Sequence, residues 1–127
     1  MKVVWISLFG LLGILARYGV GLTFERYLPD VFPLGTFLIN VIGSFFIGAV
    51  FVLGAERFMF SEEIRFGLMV GFLGGFTTFS AYCLETWKMI ENTQYLLAGF
   101  YFGLSPILGL AATYAGIFVA RTLVRNS

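Results

Sequence analysis

Gly71-Phe72-Leu73-Gly74-Gly75-Phe76-Thr77-Thr78-Phe79-Ser80-Ala81-Tyr82 lies inside an apolar segment, yet it has the composition of a loop. Gly74-Gly75 is a poor helical pair, each glycine being about 1 kcal/mol less favourable than alanine in a helix interior. Threonines, a serine and aromatic rings follow directly. The flanking charges are Arg65 and Glu85, and the uncharged segment between them is long enough to enter a bilayer. At 1.5 Å per residue, Gly74 stands about 14 Å beyond Arg65, near the middle of a ~30 Å hydrocarbon core. A helix broken at that depth is tolerated only where protein or a polar cavity meets the released backbone groups. Broken membrane helices are also a known way to build ion and substrate sites. This run is therefore the candidate site, with its break expected at Gly74-Gly75.

The rest of the chain has the same membrane character. Of 127 residues, 59% are hydrophobic and only 15 are charged, with a mean hydropathy of +0.93. No charge falls in 3–16, 31–55, 66–84 or 92–120. Four such gaps predict four transmembrane spans, at about 3–24, 34–54, 64–87 and 94–120, in one all-α domain with the charges in connections and ends. Lys2 followed by an apolar run imitates a signal peptide. Arg17 and a second apolar stretch follow without a cleavage-like site, so the first span reads as retained. A net charge of +1 and the lack of a basic run argue against nucleic acid as a partner. Cys83 is the only cysteine and histidine is absent, which excludes an intrachain disulfide and argues against a transition-metal site. No nucleophile–base pair is visible, so an enzyme is not expected.

Polar residues on the remaining spans converge. Thr36, Asn40 and Ser44 share one face of the second span, and Tyr101, Ser105, Gly109 and Thr113 share one face of the fourth. Asn40 can serve as hydrogen-bonding glue between helices or as part of a site. Phe79 and Tyr82 lie three apart, a spacing that serves core packing or a ring-edge site. Gly67, Gly71 and Gly75 form overlapping GxxxG steps, whose usual meaning is helix contact. Gly10, Gly13, Gly19 and Gly21 thin the first span in the same way. Arg17 either snorkels to the headgroups or lines a vestibule that draws anions. Pro106 should kink the fourth span and release the carbonyl of Phe102. The connection Glu25 to Pro33 is short, so the first two spans should be antiparallel neighbours. With four spans, Lys2, Arg57, Arg65, Arg121 and Arg125 fall on one side against Arg26 and Lys88 on the other, a modest bias. Stripes of neutral donors and ring edges suit a small anion, which must be released as well as bound. Four helices barely enclose a pore alone, so an oligomer is expected.

The Gly74-Gly75-Phe76-Thr77-Thr78-Phe79-Ser80 run, the Gly35-Thr36-Phe37-Leu38-Ile39-Asn40 opening of the second span and Arg17 together resemble the Fluc (CrcB) fluoride channel family. The resemblance extends over the whole chain in length and span count. It implies a passive, fluoride-selective channel of the bacterial inner membrane that exports cytoplasmic fluoride. It also implies an antiparallel, dual-topology homodimer with two pores and a central structural Na⁺. By motif position, the Na⁺ would be held by backbone carbonyls of Gly74 and Thr77 from both subunits. Asn40, Phe79, Tyr82, Tyr101 and Ser105 would line the pore, and Arg17 the vestibule. Thr78, Ser80 and Glu85 would form the polar wall or its support.

Three positions depart from the family pattern. Tyr82 stands where a second phenylalanine is usual, Ala81 where threonine is common, and Gly109 where a serine is common. The alternative reading is a small four-span proton-coupled multidrug exporter. That would need a titratable group near mid-membrane, and the nearest candidate, Glu85, lies towards a helix end. A scaffold using its glycines for packing alone would explain the GxxxG steps, but not the clustered hydroxyls.

Overall fold

The computed structural model describes residues 1–28 and 32–127. Among these residues, four helices are long and apolar enough to cross a membrane: Lys2–Tyr27, Leu34–Glu56, Glu62–Glu91 and Tyr95–Arg125. No strand is present among the described residues. Each helix runs a few residues past its expected span. Glu25 and Arg26, expected in a connector, belong to the first helix. Charge gaps mark where lipid ends, whereas a helix continues into the headgroup layer at no cost to its own hydrogen bonds. The expected connector residues Pro29 and Asp30 lie outside the described residues.

The first span packs chiefly on the third and the second on the fourth; the first two, expected as neighbours, make fewer contacts. Backbone proximity explains this pairing. A Cβ on Gly13 would collide with the Phe72 carbonyl, and one on Gly75 would lie 2.7 Å from the Gly10 oxygen. A Cβ on Gly48 would collide with the Thr113 carbonyl, and one on Gly116 with that of Phe45. Such contacts bring backbones together over whole turns, which is how small residues drive association when lipid is as apolar as leucine. Gly67 and Gly71 also press on the first span, so the GxxxG stripe serves packing. A Cβ on Gly19 or Gly21 would meet nothing within 4 Å among the described residues.

Contacts advance in register along both pairs, from Ile6–Gly71 to Ile14–Gly75 and from Ser44–Gly109 to Gly48–Thr113, so each pair is parallel. Alternating spans require this. Lys2 Nζ meets Glu62 Oε1 at 2.7 Å, and Arg121 forks onto Glu56 through Nε (3.0 Å) and Nη2. The two pairs tie both termini to the second connection at one end of the bundle.

The third span departs most from a regular helix. Ser61 caps its start by accepting from the Ile64 amide at 3.3 Å. A wide π-helical segment follows over Gly67–Leu73. Gly74–Phe76 is α-helical, so the break expected at the glycine pair is not there. The backbone turns extended three residues later, at Thr77 (φ −84°, ψ 157°) and Thr78 (φ −149°, ψ 118°). The helix resumes over Phe79–Glu91. Gly75 stays helical because it is wedged against Gly10 and Ile14, and this packing outweighs its weak propensity.

Candidate functional site

The extended pair is held by side chains in place of helical hydrogen bonds. Asn40 donates Nδ2 to the Thr78 carbonyl (2.9 Å), and its Oδ1 accepts from the Thr78 amide (2.7 Å). In a continuous helix that amide would close on the Gly74 carbonyl. Likewise the Ala81 amide, which would close on Thr77, is taken by Thr78 Oγ1 at 3.3 Å as an N-cap. The carbonyls of Gly74 and Thr77 are thus both deprived of their helical donors. Thr77 Oγ1 turns back to the Leu73 carbonyl at 2.8 Å. Thr78 Oγ1 and Ser80 Oγ stand 3.5 Å apart, Thr78 half-buried and Ser80 exposed.

From this point a polar seam runs between the second, third and fourth spans. Ser44 donates to the Asn40 carbonyl at 2.7 Å, and Thr113 donates to the Ser44 carbonyl at 2.9 Å. Towards the other end, Glu85 accepts from Thr36 Oγ1 (2.6 Å) and from the Tyr101 hydroxyl (2.7 Å), one donor for each oxygen. Sequence reading placed Glu85 at the margin of the site. Its two partners lie 49 and 16 residues away, a relationship no local spacing displays. A cavity of about 650 Å³ opens beside it, lined among others by Glu25, Thr36, Glu85, Lys88 and Gln94. Arg17 is not among the lining residues. It is half-buried and has no ion-pair or hydrogen-bond partner among the described residues.

The aromatic residues divide. Tyr82 is 6% exposed and Tyr101 1%, with ring centroids 5.2 Å apart. Tyr82 also stacks on Phe102 at 5.6 Å, and its hydroxyl donates to the Phe102 carbonyl. Phe79, 5.7 Å from Tyr82, is 75% exposed on the surface of the single copy. Ser105 Oγ is buried and has no hydrogen-bond partner among the described residues. At Gly109 the Ser44 hydroxyl lies 3.4 Å from the point a Cβ would occupy. No group of three or more His, Cys, Asp or Glu is assembled among the described residues. A hard cation at the extended pair would therefore draw on backbone oxygens, and the carbonyls of Gly74 and Thr77 suit that use.

A family model described as CrcB-like protein, Camphor Resistance (CrcB), matches residues 4–117. The chain belongs to this family. Among CrcB relatives, the fluoride-specific ion channel FluC of Geobacter metallireducens is 38% identical over 97% of this chain and 99% of the relative. The protein of the same name from Geobacter sulfurreducens is 41% identical over 93% and 95%, and one from Rhizobium etli is 42% identical over 93% and 94%. All three relatives are named as ion channels, not as enzymes. This CrcB chain spans nearly the full length of these relatives, and its four helices long and apolar enough to cross a membrane make it a multi-pass membrane protein.

Proposed function

We propose that the protein is a fluoride channel that lets cytoplasmic fluoride leave a bacterial cell passively across its inner membrane. The single observation that carries this reading is Ser105 Oγ, a buried hydroxyl one turn beyond Tyr101 with no hydrogen-bond partner among the described residues. An unmade hydrogen bond of this kind costs about 1–3 kcal/mol, and a desolvated anion supplies the missing acceptor. The names of the CrcB relatives point to fluoride as that anion.

Each site residue has a role in this reading. Asn40 keeps one amide hydrogen free after its two bonds to Thr78, so it can donate to a passing ion while holding the extended pair. Ser105, Thr78 and Ser80 contribute hydroxyls, Phe79 and Tyr82 the positive edges of their rings, and Tyr101, whose proton goes to Glu85, the edge of its ring. Arg17 raises the local anion concentration. Neutral donors bind the ion without trapping it, which conduction requires.

The functional unit is an antiparallel, dual-topology homodimer with two pores. The exposure of Phe79 supports this reading, because a ring at the site needs a partner surface that one copy does not supply. The third span breaks at mid-depth, where the extended Thr77-Thr78 pair of each copy meets that of the other. Carbonyls of Gly74 and Thr77 from both subunits then hold one Na⁺, which neutralises backbone dipoles that lipid would leave bare.

The test is growth. Fluoride enters acidified cells as HF and ionises inside. Bacteria lacking their own fluoride exporters should grow in millimolar fluoride at mildly acidic pH when they carry this protein, and Asn40→Asp should abolish the rescue. Rescue that instead extends to lipophilic cations would favour the exporter reading.

A further inference from the structure

We infer that the Tyr82 hydroxyl is a positioning group, spent on the backbone of the fourth span and not on the ion, and that Pro106 creates the need for it. This inference rests on the channel reading above and assigns a role within its ring site.

Pro106 lies inside the helix Tyr95–Arg125 and has no amide hydrogen. The carbonyl four residues before it, Phe102, therefore has no helical donor. In a membrane such a carbonyl must be satisfied by another side chain, by water or by a local adjustment of the helix. Here the donor is the Tyr82 hydroxyl, from the third span. The Tyr82 ring lies nearly parallel to Phe102, at 6° between planes, and sits within 5.2 Å of Tyr101 and 5.7 Å of Phe79. The bond fixes the far end of a ring whose faces are already packed, so its edge is presented in one orientation. A tyrosine has one proton to donate. With that proton on Phe102, the hydroxyl offers the ion no donor, and recognition at this ring stays with its edge. Tyr82 and Pro106 are thus a matched pair, in which the tyrosine repairs the backbone defect the proline introduces.

The test is a cycle of four proteins in liposomes: the parent, Tyr82→Phe, Pro106→Ala and the double variant, read by fluoride efflux and by the midpoint of thermal unfolding in detergent. Tyr82→Phe keeps the ring and orphans the carbonyl; efflux should fall about threefold or more, the scale of one hydrogen bond between membrane helices. Pro106→Ala restores an amide for Phe102. In that background Tyr82→Phe should change efflux less than twofold, and the midpoints should show the same rescue. An equal loss in both backgrounds would overturn the proposal, because it would place the proton on the ion. So would full efflux from Tyr82→Phe alone, or failure of Tyr82→Phe to fold in both backgrounds. A parent that passes no fluoride would refute the channel reading, and the four midpoints would still decide whether the two positions are coupled.

Discussion

Asn40 holds both backbone groups of Thr78, its Nδ2 2.9 Å from the carbonyl and its Oδ1 2.7 Å from the amide. One side chain on the second span thereby replaces the helical hydrogen bond that the Thr78 amide gives up where the third span turns extended, while Thr78 Oγ1 serves the Ala81 amide. The geometry is that of the glue reading of Asn40, and the clamp leaves one amide hydrogen uncommitted.

Asn40→Asp keeps an acceptor for the Thr78 amide but loses the donor to its carbonyl and adds a negative charge. Fluoride efflux from liposomes should fall at least about tenfold, and the thermal midpoint should drop with it, because a carboxylate facing a carbonyl costs about 1–3 kcal/mol. Unchanged efflux would place the ion's path elsewhere.

Phe79→Ile separates packing from recognition. The ring is 75% exposed within one copy, so the variant should fold in normal yield while efflux drops, since an aliphatic side chain has no positive edge. Equal efflux from variant and parent would remove Phe79 from the site.

Thr36→Val and Tyr101→Phe each strip one donor from Glu85. Each should lower stability by about 1 kcal/mol. Their effects should not add, because the two hydroxyls share one carboxylate. Unfolding titrations of the single and double variants measure this coupling, and strict additivity would contradict it.

Gly116→Ala should fail to yield folded protein or lose roughly 1–3 kcal/mol, since its Cβ would run into the Phe45 carbonyl. Gly99→Ala, with nothing within 4 Å, should match the parent in folded yield. Similar outcomes for the two would contradict the close packing of the second and fourth spans.

Na⁺ removal bears on the carbonyls of Gly74 and Thr77. Replacing Na⁺ by N-methylglucamine should lower the thermal midpoint, and re-addition should restore it in a concentration-dependent way, as for any ligand bound only by the folded state. A midpoint indifferent to Na⁺ would argue that these oxygens hold no cation.

The four spans were legible because membrane crossing is written in long charge gaps, and the grouping of both termini with the second connection follows from counting spans. The glycine steps at 67, 71 and 75 were legible as contact surface. The position of the break was not. Propensity pointed to Gly74-Gly75, but Gly10 and Ile14 hold that turn in place, and the chain departs only where Asn40 supplies substitute bonds. That rescue comes from 38 residues away. Glu85 was legible only as a marginal support for the same reason, since its two donors, Thr36 and Tyr101, lie on other helices. The tyrosine at 82 read as a hydroxyl added to a ring site. Only the packed spans reveal that this hydroxyl answers Pro106.

The most direct measurement is anion efflux from liposomes loaded with fluoride and chloride together, bearing the purified parent protein, with the membrane potential clamped by a potassium ionophore. The expected result is rapid loss of fluoride down its gradient while chloride is retained, with no dependence on an imposed pH gradient. Comparable chloride loss, or fluoride retained as in protein-free vesicles, would contradict a seam of neutral donors and ring edges selective for fluoride.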